Sequence, residues 1–369
     1  MIIGVDGNEA NVKEKVGVSV YTMEMLRYFH QHASQTTRFI VYLRKKPLAD
    51  LPKESPYFQY EIVRGEHLWR DVIFPLHLFT HPKIDALFCP AHYTPRFCPV
   101  PTIVTIHDTS YLFFKDEFLK RDLYKLTSWS KHAIERSAKV ITVSASTKKD
   151  VVKNYQVDAS KINVIHNGFD KSKESYKESQ GGSFSLPKSP YLLYVGTIQP
   201  RKNIKALIDA FKIFHEKNPK YSLVLVGKMG WLFGDIFEYV LEQKLEDNVI
   251  FTGYVSNSQL AALYQKASCF IFPSLYEGFG IPLLEAMHYR CPVIASNAAS
   301  LPEVGGDAAV YFDPKNSNDL VKALDEVIGN DQVRQSLVKK GLKRVQLFSW
   351  ERSAGETLKT IKDAFSSTE

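Results

Sequence analysis

The chain has 369 residues, of which 44% are hydrophobic and 24% charged, and a formal net charge of +7. That length exceeds what a single core ordinarily spans, so two domains are expected, with apolar material enough for both. No stretch is long and apolar enough to cross a membrane, and the mild positive charge is compatible with phosphate, anionic lipid or simple solubility without deciding among them.

The start, Met1 to Val5, lacks the basic residues and long apolar run of a signal peptide and reads as a strand over Ile2–Val5. Gly17 follows, ahead of a helix beginning near Ser19. Further strands are predicted over Phe39–Leu43, Tyr60–Val63, Ala86–Phe88, Ile103–Ile106 and Val140–Val143. Between the last two lies a basic stretch, Lys115 to Lys139, with Lys120, Arg121, Lys125, Lys131 and Arg136 among Phe118, Leu123 and Trp129. It reads as a surface helix with a solvated face, or as a surface for peripheral association with an anionic membrane. From Lys171 to Pro190 the chain is Lys, Ser, Glu, Gly and Pro with little apolar content, which marks a linker.

The strand–helix series then restarts, with strands over Tyr191–Val195, Leu223–Val226, Val249–Phe251, Cys269–Phe272, Val293–Ala295 and Val310–Phe312. The runs are nearly continuous in apolar residues, as in parallel strands buried on both faces. Ile204, Leu207, Ile208, Phe211 and Phe214 recur at helical spacing, as do Leu320, Val321, Leu324, Val327 and Ile328. Alternating strands and helices imply an α/β class with two Rossmann-like, doubly wound parallel-sheet domains, 1–175 and 186–349, facing a central cleft. The four cysteines, Cys89, Cys98, Cys269 and Cys291, lie in or beside apolar runs, which suits a reduced, cytoplasmic compartment. Cys89, His92 and Cys98 lack a fourth ligand at zinc-like spacing, so no metal is expected there. No nucleic-acid partner is expected.

The segment that carries chemistry runs from Phe272 to Met287, Phe-Pro-Ser-Leu-Tyr-Glu277-Gly-Phe-Gly280-Ile-Pro-Leu-Leu-Glu285-Ala-Met. A strand ends at Pro273, a loop with two glycines follows, and Pro282 is placed at the first helical position, where its missing N–H is no loss. Glycine lets the backbone approach a ligand, and the N–H groups of Phe279, Gly280 and Ile281 with the helix dipole form an anion site. Glu277 and Glu285 flank it and are suited to accept hydrogen bonds from hydroxyl groups rather than to bind phosphate. Sugar, ribose and phosphate together describe a nucleotide-sugar. A tight loop before an ordinary helix gives the same pattern.

This segment resembles the two-glutamate motif of the retaining GT-B glycosyltransferases called family 4, and the resemblance spans nearly the whole chain. It includes Tyr194-Val-Gly-Thr-Ile-Gln-Pro-Arg201-Lys202-Asn203, Val226-Gly-Lys, Phe251-Thr-Gly-Tyr-Val255, Leu301-Pro-Glu-Val and Phe348-Ser-Trp350. In the first half it takes in Thr105-Ile-His107-Asp108, Val143-Ser-Ala-Ser and Val164-Ile-His-Asn167-Gly168. The resemblance implies that Arg201 and Lys202 neutralise the leaving diphosphate in place of a divalent metal, so that no cofactor is needed. A solvated Arg–Lys pair opening a helix is the plain alternative. It further implies that His107 faces the transferred sugar, with Asp108 orienting the ring or the loop. Gly17 would line the acceptor side and approach the donor phosphate, though Ser19 stands where relatives often have a second glycine. Gly253, Tyr254 and Val255 would hold the base edge through their backbone, or simply end a strand. Arg290 stands where a glycine is common, at a helix end where left-handed geometry recurs, and should affect stability locally. The last helix, 350–369, would return to the N-terminal domain.

The reaction so implied moves a hexose, with mannose from GDP-mannose as the best match and a UDP-hexose as the close alternative. The acceptor is a hydroxyl on a glycan, a lipid-linked sugar or a small molecule, and the anomeric configuration is retained. The catalytic set is then His107, Glu277, Arg201 and Lys202. A non-catalytic nucleotide-sugar-binding partner subunit should have lost some of these residues, and all are present.

Overall fold

In the computed structural model, residues 1–65, 67–81, 83–170, 187–227 and 233–366 are described. Residues 171–186 of the expected linker, the boundaries placed at 175 and 186, and the lysine of Val226-Gly-Lys lie outside them. The chain divides into two compact units, Met1–Gly168 with Phe348–Glu369, and Phe169–Leu347.

The first unit is built on seven strands: β1 (Ile2–Asp6), β2 (Arg38–Leu43), β3 (Phe58–Ile62), β4 (Ala86–Cys89), β5 (Thr102–Ile106), β6 (Lys139–Thr142) and β7 (Ile162–Val164), in the order β3-β2-β1-β4-β5-β6-β7. All pairs are parallel. Successive side chains of a strand point to opposite faces, and both faces are covered. Ile103 of β5 joins one core with Ile3, Val5 and Phe88, while its neighbours Val104 and Ile106 join another with Leu87 and Val140. This two-sided burial is why the strands read as unbroken apolar runs. β7 was not anticipated. It has three residues, pairs only with β6 and buries only Ile162, so no apolar run marks it. β3, the other edge, begins at Phe58, two residues before the expected Tyr60.

The helix Trp350–Ser366 completes this unit. Ala354, Leu358 and Ile361, at helical spacing, enter the core beside Tyr21, Met25 and Phe29 of the helix Val18–Gln31. Where it starts, Gly168 lies so close that a Cβ there would stand 2.3 Å from the backbone nitrogen of Trp350.

The second unit has six parallel strands: β8 (Tyr191–Val195), β9 (Ser222–Val226), β10 (Val249–Gly253), β11 (Cys269–Phe272), β12 (Val293–Ser296) and β13 (Ala309–Phe312), ordered β10-β9-β8-β11-β12-β13. Each sheet reverses direction once, between β1 and β4 in the first unit and between β8 and β11 in the second. Such a reversal opens a crevice at the carboxyl ends of the two strands.

The helix that follows β11 runs Ile281–His288, so Pro282 occupies its second position, not the first. The second N–H is also unpaired within a helix, and the substitution is equally cheap there. At the other end, Cys291 N–H bonds the carbonyl of Ala286 at 2.8 Å and Arg290 N–H that of Met287 at 3.2 Å. This pair of bonds is the Schellman motif, which requires a left-handed residue, and Arg290 takes it with φ 61°. A side chain held there costs about 1 kcal/mol or slightly more. Arg290→Gly should therefore raise the melting temperature by about 2–4 °C and leave turnover unchanged. A lower melting temperature would show that contacts of the arginine side chain outweigh the backbone cost.

Candidate active site

In the second unit the crevice is bounded by the loop after β8, which carries Arg201 and Lys202, and the loop after β11, which carries Glu277 and Gly280. The first loop closes as a single 3-10 turn, Pro200–Lys202, and Asn203 turns the chain into the next helix with φ 59° and ψ 38°. Asparagine tolerates this left-handed geometry better than most residues. Its side-chain amide donates to the carbonyls of Pro273 at 3.2 Å and Pro314 at 2.8 Å, and Leu275 N–H donates to the carbonyl of Arg201 at 2.8 Å. The two loops are thus stitched together.

Lys202 is only 9% exposed, which rules out a solvated pair opening a helix. Its ammonium donates to Glu277 Oε1 at 2.5 Å and lies 5.7 Å from the centre of the Phe272 ring. Ser274 Oγ donates to the same carboxylate oxygen at 2.7 Å, and Arg201 stands 3.8 Å from Oε2. Tyr194 lies beneath, its phenol pushed well up by burial and then by the charge of Glu277. Glu277 therefore belongs to the cationic cluster, whereas sequence reasoning separated the carboxylates from the diphosphate-binding pair.

Gly280 has φ 108°, and a Cβ there would meet Leu301 at 2.8 Å, so only glycine fits ahead of the helix. Ser300 Oγ holds the loop by donating to the carbonyls of Glu277 and Phe279, at 2.9 and 2.8 Å. Ile281 opens the helix, and Glu285, one turn in, accepts a hydrogen bond from Tyr264 at 3.2 Å. At the end of β10, Gly253 has φ 68°, the Tyr254 ring is 71% exposed and Val255 is buried. Ser274, Asn203, Ser300 and Tyr264 were given no role from sequence. Only Asn203, an asparagine just before a helical run, carried a readable signal.

In the first unit, His107 follows β5 and packs edge-on against Tyr21, with ring centres 4.8 Å apart. Its Nε2 lies 2.7 Å from the carbonyl of Pro90. A carbonyl only accepts, so Nε2 carries the proton and Nδ1 presents a lone pair. Removal from water, and then the neighbouring His92, push the ring down to about 4, against the smaller pull of the Pro90 carbonyl and Asp108. Asp108 Oδ1 holds the loop, accepting from Ser110 N–H at 3.0 Å and Ser110 Oγ at 2.9 Å. Gly17 caps the helix Val18–Gln31 with φ 52° and has open space where a Cβ would stand, and Ser19 is buried on that helix's first turn.

Residues 176–344 match the family described as glycosyl transferases group 1, and residues 16–173 match glycosyltransferase family 4. The chain is 33% identical over 266 residues to O-antigen chain mannosyltransferase B of Escherichia coli, an alignment that covers 70% of each. It is 32% identical over 242 residues to O-antigen chain mannosyltransferase RfbU of Salmonella typhimurium, covering 65% of this chain and 64% of that one. Among solved structures, Anabaena HepE in complex with UDP and glucose superposes with a TM-score of 0.72 at 17% identity, covering 98% of this chain and 99% of that one. That likeness speaks to the fold, two Rossmann-like domains of the GT-B kind. With both halves matched and a mannosyltransferase relative at this identity, the chain belongs to the group 1, family 4 glycosyltransferases.

Proposed function

We propose that the enzyme is a metal-independent, retaining mannosyltransferase that uses GDP-mannose and a hydroxyl acceptor on a glycan, glycolipid or small molecule. The observation that carries this reading is the cluster of buried Lys202 with part-buried Arg201 and Glu277 at the crevice between β8 and β11, ahead of the Gly280 helix. Two cations and a helix N-terminus in one crevice suit a diphosphate. The mannosyl donor rests on the two mannosyltransferase relatives. A UDP-hexose is the second reading, favoured by the UDP and glucose held by HepE.

In the proposed reaction the bond between the anomeric carbon and the diphosphate oxygen breaks, and the acceptor oxygen bonds to that carbon on the same face. The acceptor proton passes to a phosphate oxygen of the departing diphosphate. Charge grows on that diphosphate, so Arg201, Lys202 and the N–H groups after Gly280 serve the transition state most. Lys202 is paired with Glu277. A diphosphate would take over the ammonium and leave the carboxylate to accept a sugar hydroxyl. His107 would meet the sugar as a neutral ring that accepts at Nδ1.

Three outcomes test this. In a thermal-shift series without metal, GDP and GDP-mannose should raise the melting temperature, unaffected by EDTA. A shift with UDP and UDP-glucose alone would transfer the assignment to the second reading, and no shift with any nucleotide would remove it. Lys202→Ala should lower kcat by roughly 10²–10³, while Glu285→Ala should weaken donor binding more than it lowers kcat. Wild-type kinetics in both would dissolve the site. His107 should titrate near 4, seen by NMR and assigned through His107→Gln. Because its folded value lies below the ordinary 6.5, the neutral ring's contribution to stability is complete above about 6.5 and fades as pH falls toward 4. A midpoint at 6.5 would contradict the removal of the ring from water.

A further inference from the structure

The first unit contains a cavity of about 450 Å³ that the donor chemistry leaves unused. Asn8 and Glu9, from the loop after β1, line it, which sets it at the carboxyl end of the strand where this sheet reverses. Arg44 enters from the end of β2. Arg121, Lys125 and Trp129 come from the helix Lys120–Arg136, and their spacing of four residues puts all three on one face.

The chemistry of the lining is specific. Arg44, Arg70, Arg121 and Lys125 are its cations, against the carboxylates of Glu9 and Asp71. Arg70 is committed inward, 3.6 Å from Asp6 and over the Tyr93 ring at 4.9 Å. Lys125 lies 5.7 Å from the centre of the Trp129 ring. A second hollow shares Arg44 and adds Lys45, Lys46 and Arg64, so the positive wall continues beyond the cavity. A basic helix face alone would be a solvated surface. Here it converges with an arginine from the end of β2 on a half-open hollow that also holds an indole and a carboxylate. Guanidinium and ammonium groups suit phosphate oxygens, the indole offers a flat apolar face, and a carboxylate accepts from hydroxyls.

We propose that this cavity is the acceptor site and that the acceptor is a sugar carrying a phosphate ester, whose phosphate is held by Arg44, Arg121 and Lys125. The proposal rests on the reading of the chain as a transferase with its donor in the other unit. A soluble sugar phosphate and a lipid-linked one present the same group to these side chains.

The test is calorimetric titration of mannose 1-phosphate and octyl mannosyl phosphate, with the neutral octyl mannoside as control, into protein saturated with whichever nucleotide raises its melting temperature. Saturating nucleotide fills the diphosphate site of the second unit. If no nucleotide binds, the transferase reading fails separately and the titration is run without one. Saturable binding of either phosphate probe, roughly tenfold or more tighter than the neutral one, and lost in Arg121→Gln/Lys125→Gln, would support the site. Mannose 1-phosphate alone points to a soluble acceptor, and the octyl ester alone to a lipid-linked one. Binding should also weaken as KCl rises, a readout that needs no variant. Absence of binding by both phosphate probes, or equal binding in the double variant, would overturn the proposal. So would sedimentation with phosphatidylglycerol vesicles that depends on Arg121 and Lys125 while neither soluble probe binds, since the helix would then be a membrane surface.

Discussion

A lysine ammonium taken out of water must find a compensating charge, and the arrangement of the second unit follows from how Lys202 is compensated. Burying such an ion is expensive by several kcal/mol unless a partner with good geometry meets it. Glu277 and Ser274 form that partnership from the loop after β11, while Lys202 comes from the loop after β8. Those strands are neighbours in the sheet although their loops are 75 residues apart in the chain. The bonds of Asn203 to Pro273 and of Leu275 to Arg201 keep the two loops at that separation. A crevice made this way gathers two cations and a carboxylate on a frame fixed by the sheet.

The two units solve opposite electrostatic problems. In the second, burial is tolerated by pairing opposite charges. In the first, the imidazoles of His92 and His107, with ring centres 5.6 Å apart, are both pushed toward neutrality by loss of water. Two adjacent cationic rings there would repel and lack solvation, so the neutral state is the stable one. A neutral ring suits contact with an uncharged sugar, as a cation pair suits a diphosphate.

How much was legible in the sequence depended on how far each feature reached along the chain. Strands such as β4 and β5, buried at every position, announce themselves as apolar runs. β7 does not, because a three-residue edge strand leaves no run to read. The left-handed turn at Arg290 was visible as an arginine where glycine is common. The pairing of Glu277 with Lys202 was not, since it depends on β8 and β11 being neighbours, and strand order is written in no local pattern. For the same reason the proton on His107 Nε2 could not be placed without the carbonyl of Pro90, seventeen residues away in the chain. Of the cations lining the first unit's cavity, Arg121 and Lys125 were legible as part of a basic stretch. Their meeting with Arg44 and Glu9 was a product of folding.

The close approach of Gly168 to Trp350 bears on the order in which the protein is made. The first unit is left by the chain at Gly168 and rejoined at Phe348, so the second unit is, in topology, an insertion. On a ribosome, every residue of that insertion emerges before Trp350 does. Until then the helix Val18–Gln31 has no Leu358 or Ile361 to cover Tyr21 and Phe29. The N-terminal unit, begun first, is therefore finished last, and a nascent chain must carry an open apolar face through the synthesis of an entire second unit.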